Sequence, residues 1–266
     1  MKKFWGFLLV IVLMTSCGEY QSLLKSNDYN LVYKIAIEYY NKGDYQRAMN
    51  LLDGVRSVFV GQAKAQNIAY YRAFCSYNMK DYQIASDLFK QFIQTYPESS
   101  FAEECLYMMG FCDYKASPKP RLDQQVTEKA IREFQLYLSR YPYSMRKDKV
   151  NTYMDEMRDK LSYKAYLSAK NYYLREHYKA AVISLQNCLK DYPGSKYREE
   201  IMYMLFVSKY QMAVNSVEDK KVERYNNARE EYYYFADEYP NSRYAADVKK
   251  MYEDIEAYLE NYKFED

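Results

Sequence analysis

The chain has 266 residues, 49% of them apolar, enough to bury a core in one or two domains. Seven glycines and six prolines disfavour a turn-rich β protein and favour long helices. Thirty-eight basic residues against 36 acidic ones leave no excess to release counterions from phosphates, which excludes nucleic acid as a partner. Tyrosine is the compositional outlier at 35 residues, and its apolar body with a polar tip suits half-buried helix faces and interaction surfaces.

At the N-terminus, residues 1–16 read as a lipoprotein signal peptide: Met1-Lys2-Lys3, an apolar run of 11 residues from Phe4 to Met14, then Thr15-Ser16 before Cys17. Eleven apolar residues are too few to span a bilayer. The small pair before the cysteine resembles the lipobox of bacterial lipoproteins, with Met14 where leucine is usual and Leu13 one place further back. That resemblance implies diacylglycerol and an N-acyl chain (commonly palmitate) on Cys17; the alternative is an ordinary signal peptide with a chance cysteine. Several acyl chains exceed what stable anchoring needs. Gly18 stands where some lipoproteins carry an inner-membrane retention aspartate, so the expected location is the outer membrane, periplasmic face, with a lipid-anchored mature chain. Residues 17–28 are expected to be the lipidated cysteine and a short tether, whose ten residues Gly18–Asn27 reach ~35 Å. Without Lys2 and Lys3, 36 basic residues face 36 acidic ones.

Beyond the tether the chain repeats itself. Tyr-Pro-x-Ser occurs four times, beginning at Tyr96, Tyr141, Tyr192 and Tyr239, and eleven residues before each tyrosine stands Ala85, Ala130, Ala181 or Ala228. Ala48 keeps that offset to Phe59, and Gly43-Asp44-Tyr45, Lys80-Asp81-Tyr82 and Glu176-His177-Tyr178 precede three of the alanines. Four residues past each alanine, one turn on, comes Leu52, Phe89, Phe134, Leu185 or Tyr232. Proline ends that helix and the serine can cap the next. Twelve residues before the alanine, the partner helix carries Ala36, Ala73 or Ala169, with Gly110 in this role in the third unit. The pattern is similar to the tetratricopeptide repeat, which implies an all-α fold, a superhelix of about five helix hairpins. Residues 29–144 would hold repeats 1–3, and 145–266 repeats 4–5 with a terminal helix. The fifth unit's first helix fits the pattern poorly. Lys115 to Thr127, with Pro118 and Pro120, reads as an inserted loop, either a contact-bearing one or a tolerated surface insertion.

A tyrosine stripe runs through the first helices. Tyr33, Tyr70 and Tyr107 lie three residues before the small residue, and Tyr40, Tyr77 and Tyr114 four after it, so each pair shares a helix face. Asn30, Asn67 and Glu104 stand at matching heights. In tetratricopeptide arrays such positions point to the concave surface. Two readings stay open: a groove of phenols and amides for an extended or aromatic-ended peptide, or rings that pack between neighbouring helices.

Catalytic machinery is not expected. There is no glycine-rich phosphate loop or nucleophile elbow, and the single histidine, His177, falls in a turn. Cys75, Cys105, Cys112 and Cys188 fall in apolar helical patterns and read as small buried hydrophobes, with neither a disulfide nor a metal site. Apart from the lipid on Cys17, no cofactor is expected.

Lipobox, short tether, five repeat units and the recurring Tyr-Pro-x-Ser together resemble the BamD family, lipoproteins of the outer-membrane β-barrel assembly machinery. The closest local likeness is Met157-Arg158-Asp159-Lys160-Leu161 with Tyr172-Tyr173 and Leu189-Lys190-Asp191-Tyr192-Pro193. Arg121-Leu122-Asp123-Gln124 with Thr127-Glu128-Lys129-Ala130 resembles the family's third-repeat insertion. The likeness covers residues 17–245 and has no clear counterpart for the tail beyond Tyr244. It implies a scaffold that binds the barrel-forming BamA through a POTRA domain, mainly with its C-terminal repeats. Its N-terminal repeats would receive the C-terminal segments of unfolded outer-membrane proteins, which usually end in an aromatic residue. Two rivals are another lipid-anchored tetratricopeptide scaffold for cell division or envelope synthesis, and a glycan-binding lipoprotein; the latter is usually rich in tryptophan, and Trp5 lies in the signal segment.

Overall fold

A computed structural model describes residues 20–263, and among them every regular element is a helix. The signal segment and Cys17 lie outside the described residues. Residues 20–24 form a short helical segment, α1. There follow α2 (Tyr29–Asn41), α3 (Tyr45–Val55), α4 (Ala63–Asn78), α5 (Tyr82–Thr95), α6 (Ala102–Ala116), α7 (Gln125–Arg140) and α8 (Lys147–Leu174). The chain continues through α9 (Tyr178–Asp191), α10 (Arg198–Val214), α11 (Glu218–Glu238) and α12 (Ala245–Lys263). Taken in pairs from α2 to α11 these are five tetratricopeptide-type hairpins, and α12 is the terminal helix. None of the described helices is long and apolar enough to cross a membrane.

The turns inside the hairpins follow from two residues. Gly43, Lys80 and Glu176 adopt left-handed φ values of 82°, 67° and 60°, which reverse the chain. The next residue starts the second helix, and Asp44 caps α3 by accepting the Arg47 N–H at 3.2 Å. His177 takes this N-cap place on α9, exposed and without a side-chain capping bond.

Small residues set the hairpin spacing. Ala36, Ala48, Ala73, Ala85, Ala130, Ala169, Ala181 and Ala228 are all fully buried. At Gly110 the approach is closer still: a Cβ there would lie 2.9 Å from the Phe134 ring. Phe89, Phe134 and Leu185 fill the space beside these small residues with no exposed surface. In the fifth hairpin Phe206, fully buried on α10, occupies the position that alanine or glycine holds elsewhere, which is why this helix escapes the sequence pattern.

The chain divides into two compact units: residues up to Pro118 with Asp123–Met154, and Lys119–Leu122 with Asp155 onward. The division falls within α8, and the tip of the third-repeat loop is counted with the second unit. The insertion is shorter as a loop than its composition implies, because α6 extends to Ala116 and α7 starts at Gln125. Thr127 is buried in α7, its Oγ1 2.6 Å from the Ser117 hydroxyl.

One expectation changes at the N-terminus. The segment before α2 is not free chain down to Asn27, because Tyr20 is buried against the first hairpin. Its ring meets Tyr39 edge-on at 6.0 Å, Arg47 lies 5.4 Å from the ring, and the Asn50 amide donates to its hydroxyl at 3.1 Å.

Candidate functional site

Helices α2, α4 and α6 carry the predicted stripe, and the structure brings its members into one interlocked row. Asn30 is exposed; Tyr33, Tyr40, Asn67, Tyr70, Tyr77, Glu104 and Tyr114 are half-buried; Tyr107 is buried. The rings therefore pack between repeats while most keep an edge in solvent.

The polar residues at matching heights satisfy the phenols of the repeat before. Tyr70 donates its hydroxyl to Glu104 Oε2 at 2.9 Å. Burial raises the Tyr33 phenol above its usual range, partly offset by a hydrogen bond with Asn67. Burial pushes Tyr40 up to about 12, and it raises Tyr70 further, helped by the negative charge of Glu104. Tyr77 and Tyr107 are also raised, chiefly by burial. All these phenols are neutral donors at physiological pH. Asn30 accepts from Lys64 Nζ, 2.5 Å away on α4.

A second regularity lies in the turns between hairpins. In each Tyr-Pro-x-Ser the serine Oγ accepts the N–H two residues on: Phe101 at 3.2 Å, Arg146 at 3.2 Å, Tyr197 at 3.3 Å and Tyr244 at 3.0 Å. It also bonds the preceding first helix, through Gln66, Glu103, Ser162 and Glu199. Each of those partners stands seven residues before the small position, a spacing visible in the sequence but missed there. The serine thus caps the turn ahead of the helix and ties it to the hairpin before.

The residue whose N–H is held lays a flat group on a tyrosine of the preceding first helix. Phe101 lies 4.5 Å from Tyr70, Tyr197 4.4 Å from Tyr166, and Tyr244 4.0 Å from Tyr203. The third repeat differs: Arg146 places its guanidinium 4.8 Å from the Tyr107 ring and 3.6 Å from Glu104. Phe111 and Tyr153 complete this end, with Tyr153 stacked 4.4 Å from Tyr114 and 5.4 Å from Phe111. Lys115 lies 5.7 Å over Phe111 and Lys149 5.9 Å over Tyr153. The stripe therefore ends in an aromatic floor edged by three cations. Sequence reasoning found Tyr107 and Tyr114 but missed Phe111, Arg146 and Tyr153, because the last two come from the following helix and its turn.

A largely buried charged cluster lies among α5, α6 and α7. Asp113 accepts from Ser86 at 3.1 Å and pairs with Lys129 at 2.8 Å. Glu133, 3.7 Å from Lys129, has one oxygen buried without a donor. Burial pushes its carboxyl up to about 8, and a proton held there and donated to Asp113 satisfies both groups. Lys129 also donates to the Ser86 hydroxyl at 3.3 Å. The four described cysteines are buried free thiols; burial raises Cys112 as well, and pushes Cys75 and Cys105 to about 12 and Cys188 to about 11. Among the described residues no cluster could hold a metal ion.

A family model described as YfiO, outer membrane lipoprotein, matches residues 25–200 and 164–265, so the match extends through the tail beyond Tyr244. No curated protein matches the chain. Among solved structures, the TPR2AB domain of yeast Sti1 in a pHSP90 complex is 14% identical, with a TM-score of 0.39, covering 86% of this chain and 98% of its own. A TPR repeats protein from Bacteroides fragilis is 12% identical, with a TM-score of 0.41, covering 87% of this chain and 99% of its own.

Proposed function

The chain belongs to the YfiO, or BamD, family of outer membrane lipoproteins, and from that premise we propose that it is a scaffold of the β-barrel assembly machinery. It is held on the periplasmic face by lipid on Cys17, binds a BamA-like barrel protein through a POTRA domain with repeats 4 and 5, and receives the C-terminal segments of unfolded outer-membrane proteins on repeats 1–3. Its work is binding and handover, without catalysis or cofactor.

The observation that carries this reading is the cation-edged aromatic floor around Tyr107, Phe111 and Tyr114. A peptide ending in an aromatic residue offers a ring and a carboxylate a few ångströms apart. The half-buried rings of the stripe give the ring an edge-on or stacked seat. Arg146, with Lys115 and Lys149 nearby, gives the carboxylate a charge-assisted partner, and only Arg146 has the planar fork for two parallel hydrogen bonds.

Affinity purification of the tagged lipoprotein from mildly solubilised membranes tests the assembly role. A POTRA-bearing barrel protein in near-stoichiometric yield supports it. Recovery of cell-wall enzymes with no barrel protein would overturn it in favour of another envelope scaffold.

A further inference from the structure

The fixed position of Tyr20 has a geometric consequence for the anchor. Only three peptide links join it to Cys17, a reach of ~10 Å rather than the tens of ångströms that free chain to Asn27 would give. Tyr20 is held against the hairpin, its ring buried and its hydroxyl bonded to Asn50. A lipid on Cys17 therefore holds the first hairpin itself at the bilayer.

At the end of the first hairpin opposite its Gly43 turn, where the chain leading from Tyr20 enters α2, the surface is unusual for one meant only to face water. Leu24, Tyr29 and Leu31 are exposed within eight residues of chain, and Val58 and Val60 are exposed in the loop after α3. These two segments touch: Phe59, between the valines, lies 6.2 Å from the Tyr33 ring of α2, and Lys64 bonds Asn30. Residues 24–34 and 56–64 also carry Lys25, Lys34, Arg56 and Lys64 against a single acid, Asp28. Asp28 is occupied in capping α2 through the Leu31 N–H.

From these observations we propose that this end of the first repeat is a membrane-contact surface. Its apolar side chains enter the interface of an anionic bilayer while its four cations pair with phosphate headgroups. The proposal rests on lipidation of Cys17. It makes the acyl chains one of two signals: the lipid supplies the affinity, and this surface fixes which face of the repeats lies against the membrane.

The test uses the full-length lipidated protein in vesicles of phosphatidylcholine with one-third phosphatidylglycerol, the phosphatidylcholine brominated on its acyl chains. Single cysteines for a fluorescent label are introduced as Leu31→Cys and Val60→Cys, with Ile183→Cys, exposed in the second unit, as control. The native thiols are buried and stay unlabelled. Flotation first establishes that the native protein binds and that Cys17→Ser releases it. The expected result is quenching at 31 and 60 at least threefold above that at 183, reduced when phosphatidylglycerol is left out. Equal, weak quenching at all three positions on floated protein overturns the contact surface while leaving the anchor intact. Failure of the native protein to float overturns the anchor and the surface with it.

Discussion

The two units of the molecule solve the same joining problem with different chemistry. In the second unit the turn residue after each serine is a tyrosine that stacks flat on the tyrosine before it, Tyr197 on Tyr166 and Tyr244 on Tyr203, with interplanar angles of 11° and 10°. In the first unit Phe101 lies tilted at 35° on Tyr70, and Arg146 replaces the ring altogether on Tyr107. A ring stacked on a ring closes the surface; a guanidinium on a ring leaves charge at the surface while still covering the aromatic face. Cations edge the second unit's junctions too, with Lys170 5.3 Å from the Tyr166 ring and Arg243 4.7 Å from Tyr244, so what sets the first unit apart is that at Tyr107 the cation is itself the covering group.

The contrast is sharpest at the small residues. Gly110 of the first unit has no room for a Cβ beside Phe134, whereas Ala169 of the second already carries one and is fully buried. Gly110→Ala is expected to cost about 1–3 kcal/mol by overpacking against the phenylalanine ring, despite the better helix propensity of alanine. Ala169→Gly should cost about 1 kcal/mol, from lost helix propensity and a lost methyl. Urea unfolding of both variants checks the pair. A stabilised Gly110→Ala would mean that α6 and α7 can separate freely.

Arg146→Tyr makes the first unit imitate the second. Stability should change little, since a ring replaces a guanidinium on Tyr107, but Glu104 loses its cation. Affinity for a peptide ending in phenylalanine carboxylate should fall about tenfold, the loss of one charge-assisted contact. The same peptide with an amide end should bind native and variant alike. Fluorescence anisotropy with the two peptides measures this, and equal loss for both would assign Arg146 a packing role only.

The Asp113–Lys129–Glu133 cluster belongs to the first unit alone. Glu133 is raised by burial from the ordinary 4.5 to about 8, so between those values the folded chain holds a proton that the unfolded chain has released. Its stabilising contribution is complete below about pH 4.5 and is lost as the pH rises through 8. Glu133→Gln keeps a donor toward Asp113 and should flatten that decline. The native urea midpoint should drop between pH 5.5 and 8.5 by more than that of the variant.

The alanine–aromatic spacing and the Tyr-Pro-x-Ser repeats made the hairpins legible in the sequence, because helix pairing depends on small residues one helical face apart. The fifth unit was obscured by Phe206, a large residue in a small residue's place. The candidate site was half legible. Tyr107 and Tyr114 follow from a period of 37 residues, but Arg146 and Tyr153 reach the stripe from the next hairpin after the longer spacing caused by the insertion. The serine bonds to Gln66, Glu103, Ser162 and Glu199 share one offset but use three different side-chain types, and only geometry shows that they do the same job. Docking of Tyr20 depends on one ring finding Tyr39 and Arg47, which no periodicity encodes.

The smallest effect concerns the hairpin turns, where both units contain the same strain. Gly43 takes its left-handed φ without a Cβ, but Lys80 in the first unit and Glu176 in the second adopt it with one. A left-handed non-glycine residue costs about 1–2 kcal/mol, and a glycine gives back about 0.5–1 kcal/mol of that in extra unfolded-state entropy. Lys80→Gly and Glu176→Gly should therefore each stabilise by about 0.5 kcal/mol, and Gly43→Ala should destabilise by about 1 kcal/mol. The two gains arise in separate units with no shared partners, so they should add. Thermal melts of the single and double variants test this, with each half kilocalorie worth about 1–2 °C in a chain of this size. A double variant no more stable than either single would mean that the first unit to unfold sets the melting temperature, and the single that moves it identifies the weaker unit.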